Sequence, residues 1–540
     1  MQSTMMATPL SLNGVLERAG TLFRDSEIIT RLPDRSLRRH THGEWYQRTR
    51  SLASALQRAG LRPGDRVATL CWNHHAHLEA FFGIPAAGGV MHTLNLRLPP
   101  ADIGWIAHHA GDRFLVVDDI LLPLYRQFAD LHRFEKVLVF PYSGAPVPEV
   151  YADYEEFLAG GDPAGFRYAA HAETDPVALC YTSGTTGRPK GVVYSHRSVI
   201  LHVLVTGLAD FMALRSRDTL LPVTPMFHVN SWGVPYGGVM MGTKLVLPGP
   251  HLRPEDILDL MQLVPPTLAL GVPTVWMGLI QAYEAALKEQ PGRWRMPPGM
   301  RSFVGGAAVP ESLIRAFARH GVEIVQGWGM TETSPVATVS YVTGPLAGEG
   351  TDERFRRAAT VGVPVPLVDL RLRTDQGGDA PWDGTTMGEV QVRGPFITGG
   401  YHEAGAPPDN FTEDGWLRTG DVAVQDRHGF VRITDRTKDL IKSGGEWISS
   451  VALENALMGH PAVAEAAVIA IPHERWGERP LACVVARPGQ SCEAVVLDAH
   501  LLAQGFARWQ CPERYELIAE VPRTSTGKFW KVKLRERFPR

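Results

Sequence analysis

Short apolar runs at residues 66–71, 114–117, 136–140, 177–181, 244–247, 267–270, 302–304 and 322–325 alternate with helical patterns. An apolar run of four to six residues suits a strand covered on both faces. Strands of that kind joined by helices form largely parallel sheets. The first part of the chain is therefore expected to be α/β. Residues 44–59 read as a helix with Trp45, Leu52, Ala53 and Leu56 on one side and Gly60 as the stop. Residues 199–214 read as a buried helix, because His202 and Asp210 interrupt the apolar stretch.

The pattern changes near Met387, where residues 388–392 and 429–433 read as strands of a smaller β-rich unit. From Lys438 the order is helix (451–458), strand (463–471), strand (480–486), helix (494–505) and strand (514–521), which suits a small α+β domain. Residues 348–354 are polar and are expected to form a mobile loop.

With 540 residues the chain is expected to fold as two to four units. Lys+Arg 54 against Asp+Glu 57 argues against a nucleic-acid binder working through a basic face. Cys71, Cys180, Cys483, Cys492 and Cys511 form no CxxC pair, which argues for a reducing compartment. Residues 1–13 carry no basic residue and no apolar core, so they do not read as a signal peptide. A cytoplasmic protein is expected.

Only nine of the 54 basic residues are lysine. Four of the nine (Lys190, Lys438, Lys442 and Lys528) sit in or beside glycine- and turn-rich segments, where a compact ammonium on a flexible stem serves differently from a planar guanidinium. The sharpest of these segments is Tyr181-Thr-Ser-Gly-Thr-Thr-Gly-Arg-Pro-Lys-Gly191, directly after an apolar run. Gly184, Gly187 and Gly191 allow tight turns. Thr182, Ser183, Thr185 and Thr186 add hydroxyls, and Lys190 adds charge. Those are the parts of a polyphosphate cradle, although the Walker A spacing is absent.

This segment resembles the phosphate loop of the adenylate-forming superfamily. The superfamily's other signatures occur in order: Gly305-Gly-Ala-Ala-Val-Pro310, Gln326-Gly-Trp-Gly-Met-Thr-Glu-Thr-Ser-Pro335, Trp416-Leu-Arg-Thr-Gly-Asp421, Asp435-Arg-Thr-Lys-Asp-Leu-Ile-Lys-Ser-Gly-Gly-Glu-Trp447 and Pro522-Arg-Thr-Ser-Thr-Gly-Lys528. Within it, Pro225-Met-Phe-His-Val-Asn-Ser-Trp232 and residues 443–450 resemble bacterial medium- and long-chain fatty acyl-CoA synthetases. The resemblance implies a large N-terminal adenylate-forming domain (1–435; two α/β subdomains plus a β-rich subdomain), a hinge at 436–438, and a small mobile α+β C-terminal domain (439–540).

It also implies roles. Thr182, Ser183, Gly184, Thr185, Thr186, Gly187 and Lys190 would hold the ATP phosphates, with Thr331 on the α-phosphate. Gly306, Gln326, Gly327 and Trp328 would hold adenine, and Asp421 and Arg436 the ribose. Thr182 and Glu332 would ligate Mg²⁺. His228, by itself a core histidine in an apolar stretch, would stand where acyl carbonyl meets phosphate. Trp232 would gate the acyl tunnel, sharing a face with His228 if the stretch is helical, and Gly237 and Gly238 would leave room for the chain. Lys528 would act in acyl-AMP formation. After rotation about Lys438, Ser443, Gly444 and Gly445 would meet the pantetheine of coenzyme A, while Lys442 and Trp447 approach the adenylate. Lys531 and Lys533 read as solvated surface charges.

The implied activity is ATP-dependent fatty acyl-CoA synthesis. A CoA ligase for a short thioether or aryl acid, or an enzyme loading a separate carrier protein, remains open. The partners are then a fatty acid, ATP and CoA, with no nucleic acid. A homodimer is implied by resemblance only. A lipid substrate allows weak peripheral membrane contact, although no basic amphipathic helix supports it.

Overall fold

The computed structural model describes residues 1, 3–182, 188–341, 344–403, 410–444, 446–523 and 529–539. Ser183, Gly184, Thr185, Thr186, Gly187, Gly445 and Lys528 lie outside the described residues.

A seven-stranded sheet runs in the order Ala152–Asp153, Lys136–Phe140, Asp112–Asp118, Arg66–Leu70, Val90–Thr93, Pro176–Tyr181, Gly191–Ser195. Every pair is parallel except the last. A nine-stranded sheet has a parallel centre made of Lys244–Leu247, Thr219–Pro222, Leu268–Gly271, Arg301–Gly305 and Glu323–Gly329. Parallel strands end on a common edge, where open α/β sheets bind ligands. Tyr181, Pro222, Gly271, Gly305 and Gly329 close their strands on such edges.

Asp369–Arg373, Gly388–Arg393, Leu417–Gln425 and Val431–Arg436 form a four-stranded antiparallel sheet. One apolar core joins these three sheets, with Val67 and Leu138 from the first, Leu220 and Phe303 from the second, and Val390 and Val431 from the third. Beyond the third sheet a five-stranded sheet, built on the long pair Val463–His473 and Gly477–Ala486, buries its own apolar clusters. The α/β, β-rich and α+β order expected along the chain is thus observed.

Three local expectations change. The helix expected over 199–214 is His196–Thr206, and Gly207 caps it. Residues 348–354 do not form a loop throughout: Thr351–Ala358 is helical. It is held by Arg357, which is buried and pairs with Glu349 (2.7 Å) and Asp426 (2.8 Å). Lys531 is not solvated. It opens the helix Lys531–Arg537 and is buried, whereas Lys533 is exposed beside Glu536.

His42, His77 and His202 are buried, and burial pushes their imidazoles down to about 4, 3 and 3. The unfolded chain binds those protons near pH 6.5 and the fold does not. Stability is therefore full above about pH 6.5 and is lost as pH falls toward 4, by about 2 kcal/mol per histidine at pH 5. Melting curves between pH 7.5 and 5 should show the midpoint dropping with acidity. A flat profile would contradict the burial argument.

Candidate active site

A cavity of about 660 Å³ opens where the strand edges of the two large sheets face each other and the third sheet closes over them. Thr182, Lys190, His228, Trp232, Gly306, Gly327, Trp328, Thr331, Glu332, Arg436 and Lys438 all line it. Residues up to 256 positions apart in sequence, singled out for one chemistry, thus meet in one space.

One end is polar. Thr182 Oγ1 accepts from the Lys190 backbone N–H (3.0 Å) and Thr182 N–H donates to Lys190 O (2.9 Å), so the two residues are held side by side. Lys190 Nζ donates to Asn410 Oδ1 (3.1 Å) and lies 4.7 Å from the Tyr401 ring centroid. Glu332 is buried at 6% exposure, and the Tyr401 hydroxyl donates to its Oε1 at 2.8 Å. Burial pushes its carboxyl above the ordinary range, opposed by the Tyr401 bond and by Lys190 and Arg436. The Tyr194 hydroxyl donates to Thr331 O (2.7 Å), so the backbone carrying Thr331 and Glu332 is fixed from below.

Among the described residues no salt bridge to Glu332 forms. A buried carboxylate facing a cavity, with Thr182 as a second oxygen donor, fits a hard divalent cation such as Mg²⁺.

Beside it, Asp421 bridges two wall residues. Its Oδ2 accepts from Trp328 Nε1 (2.8 Å) and its Oδ1 faces Arg436 Nε (3.2 Å). Asp421 does not itself line the cavity. The backbone next to Trp328 is tightly approached. A Cβ on Gly305 would stand 2.7 Å from Gly327 O, and Gly306 has φ +85°, where a side chain is strained. This leaves a flat surface for a planar ring. Gln326 is buried and, like Asp421, does not line the cavity wall. Strand alternation turns its side chain to the face opposite the one on which Gly327 meets the Phe303 ring.

The other end is apolar, with Phe227, Val229, Trp232, Val272, Val275 and Phe303. Here the expected helical face joining His228 and Trp232 is replaced by a different device. Val229, Asn230, Ser231 and Trp232 have φ of 46°, 50°, 49° and 58°, followed by Gly233 at 73°. Such a left-handed run costs on the order of 1–2 kcal/mol per non-glycine residue. It is held by buried polar bonds: Cys180 Sγ to Asn230 Oδ1 (3.3 Å), Ser231 Oγ to Thr224 O (2.8 Å), and Asn73 Nδ2 to the same Thr224 O (2.9 Å). The run brings His228 and Trp232 to one cavity and sets the indole beside Phe303 and over Gly305. Gly237 and Gly238 do not line the chain space. A Cβ on Gly238 would stand 2.6 Å from Leu245 and one on Gly237 3.2 Å from Leu214, so Gly238 lets the helix Val234–Met241 sit close to its sheet and Gly237 lets it sit close to Leu214.

None of the described residues beyond Lys438 lines the cavity. Ser443 and Gly444 sit on the hairpin Ile441–Ser443/Glu446–Ile448, with Lys442 Nζ 5.2 Å from the Trp447 ring. Trp447 instead faces a separate polar crevice of about 680 Å³ against the four-stranded sheet, near Arg371, Glu389 and Asp414. Sequence reasoning missed Tyr401, Asn410 and Asn73, whose roles as supports appear only through contacts distant in sequence. No spacing marks them.

Comparison with known proteins gives a consistent picture. The family model for AMP-binding enzyme matches residues 16–402, and that for AMP-binding enzyme C-terminal domain matches 452–528. A long-chain-fatty-acid–CoA ligase of Thermus thermophilus is 48% identical over 537 residues, covering 99% of this chain and 97% of that one. A 3-methylmercaptopropionyl-CoA ligase of Ruegeria pomeroyi is 40% identical over 546 residues, covering 100% and 99%. The crystal structure of the anthranilate CoA ligase AuaEII in complex with anthranoyl-AMP has a TM-score of 0.85 at 25% identity, covering 99% of both chains.

Proposed function

The chain belongs to the AMP-binding enzyme family, and from that membership we propose that it is an ATP-dependent fatty acyl-CoA synthetase acting on medium- to long-chain acids. The observation that carries this reading is a single cavity with a cation-and-carboxylate end continuous with an apolar end. A nucleotide and an acyl chain would meet there at His228.

The reaction has two steps. The fatty carboxylate attacks the α-phosphorus of ATP, forming acyl-AMP and releasing pyrophosphate. The CoA thiolate then attacks the acyl carbonyl and AMP leaves. Lys190 and Lys528 would supply positive charge toward the phosphates, Trp328 and Gly306 would hold the adenine, and Arg436, with Asp421 behind the wall on Trp328, would serve the ribose. Mg²⁺, held by Glu332 and Thr182, would neutralise phosphate charge and orient the leaving group. The hydroxyl loop Ser183, Gly184, Thr185, Thr186 and Gly187 is assigned to the same phosphates.

The domain division is 1–435, a hinge at 436–438 and 439–540. Ser443, Gly444 and Gly445, together with Lys442 and Trp447, serve the second step after the small domain turns about Lys438. Among the described residues none of these lines the cavity, so the second step would require that movement. The protein works in the cytoplasm. Among the described residues no helix is long and apolar enough to cross a membrane.

A second reading, a ligase for a short thioether acid, is favoured by the Ruegeria relative. A panel of straight-chain acids from C2 to C20, with 3-methylthiopropionate and benzoate, decides between them. Pyrophosphate release with free CoA is expected to be greatest on the medium- and long-chain acids. A maximum on the thioether or aryl acid, or dependence on an added carrier protein, would overturn the proposal.

A further inference from the structure

A lysine three residues beyond Lys528 is buried in a network that crosses the hinge. Lys531 Nζ stands 2.7 Å from Glu454 Oε1 and donates to Ser450 Oγ at 2.6 Å. Glu454 Oε1 also accepts from Val468 N–H (2.8 Å), which ties it to the long edge strand Val463–His473 of the small sheet. Ser450 N–H in turn donates to Asp435 Oδ2 (2.5 Å), and Asp435 Oδ1 accepts from Arg436 N–H (2.7 Å). Next to these, the Ser449 hydroxyl donates to Thr434 O. Four residues farther along the terminal helix, Arg535 donates to Lys438 O (3.3 Å) and pairs with Asp439.

The order of these residues along the chain gives the network its meaning. Thr434 and Asp435 end the last strand of the four-stranded sheet, before the hinge. Ser449, Ser450, Glu454 and Lys531 all come after it. Asp435, Ser450, Glu454 and Lys531 are each less than a tenth exposed. A buried charge needs partners in fixed geometry, because water cannot compensate for a lost one. Two carboxylates, from opposite sides of the hinge, face one ammonium, and that ammonium stands at the start of the helix following the segment 524–528. Burial pushes both carboxyls upward, and Lys531 opposes this in each.

We propose that Lys531 is a positioning residue for acyl-AMP formation: through Ser450, Glu454 and Asp435 it fixes the helix after Lys528 to the hinge and to the end of the large domain's last strand. The inference rests on the assignment of Lys528 to the first half-reaction. Lys531 does not touch the reacting atoms. It fixes the start of the helix that follows Lys528 in sequence, and displacement of a catalytic group by about 1 Å can cost around 100-fold in rate. In the proposed scheme the second half-reaction brings Ser443 and Gly444 to the cavity instead of Lys528, so it is expected to be insensitive to this contact.

The test compares Lys531→Met, Lys531→Arg, Asp435→Asn and Lys528→Ala in the full chain. Acyl-AMP formation is followed by ATP–pyrophosphate exchange, and thioester formation by mixing synthetic acyl-AMP with CoA. Lys531→Met and Asp435→Asn should lower kcat for exchange by about 10- to 100-fold with little change in KM for ATP. The thioester step should change less than about threefold, and Lys531→Arg should restore most of the exchange rate because it keeps the buried charge.

Parallel loss of both half-reactions, or unchanged exchange in Asp435→Asn, would overturn the proposal. Asp435→Asn keeps an acceptor for Ser450, so it decides the matter if Lys531→Met fails to fold. If Lys528→Ala itself leaves exchange intact, the assignment of Lys528 falls. If Lys528→Ala loses exchange and the other variants do not, only the present inference falls.

Discussion

Lys528→Ala is expected to lower acyl-AMP formation by roughly 10²–10³-fold, the range for removing one preorganised charge stabiliser. The first step brings an anionic carboxylate onto a polyphosphate, so negative charge grows on the transferring and leaving groups. The cavity already holds Lys190 and Arg436, yet both are engaged: Lys190 donates to Asn410 and stands over Tyr401, and Arg436 faces Asp421. Lys438 also lines the wall, but burial and the neighbouring Arg436 push its ammonium below the ordinary value. A further lysine about 4 Å from the phosphates in a partly screened site contributes on the order of 4 kcal/mol. ATP–pyrophosphate exchange measures this step alone. Thioester formation from supplied acyl-AMP should survive in the same variant, and near-normal exchange would refute the assignment.

Glu332→Gln should be nearly as damaging, with exchange about 100-fold slower and half-saturation shifted to higher Mg²⁺. The side chain is nearly isosteric and its amide oxygen can still accept from Tyr401, so the buried backbone about Thr331 is preserved and only the charge is lost. The pH dependence gives an independent check. Burial raises the Glu332 carboxyl, so below that raised value the group carries a proton and cannot hold a cation. The wild-type requirement for Mg²⁺ should therefore rise as pH falls, and the Gln variant should lose this acid limb. An unchanged limb in the variant would place the titrating group elsewhere.

Much of this site was legible because its parts are contiguous. Tyr181 to Gly191, Gly305-Gly306 and Gln326 to Glu332 each lie at or just past an apolar run, and parallel strands deliver their C-terminal loops to one edge. Asp421 and Arg436 were singled out through the resemblance alone, and the structure pairs them directly across Leu417–Gln425 and Val431–Arg436. Gln326, expected beside the adenine, does not line the cavity. A residue within a strand obeys the two-residue alternation, which a motif written as a string does not display. Residues 348–354 looked like a loop because their composition is polar, whereas the helix there is held by a buried arginine whose partners come from residues 349 and 426.

The chain by itself settled most element types and the α/β to α+β order, because apolar periodicity and glycine placement act over short stretches, whereas the cavity wall was read through motifs that resemble one superfamily. Tertiary structure alone decided the left-handed turn that presents Trp232, the support of Glu332 by Tyr401, and the burial of Lys531 against Glu454. Each of these has a cost in backbone strain or desolvation that no local sequence preference would favour. Partners far apart in the chain offset it, and they meet only once the sheets have packed.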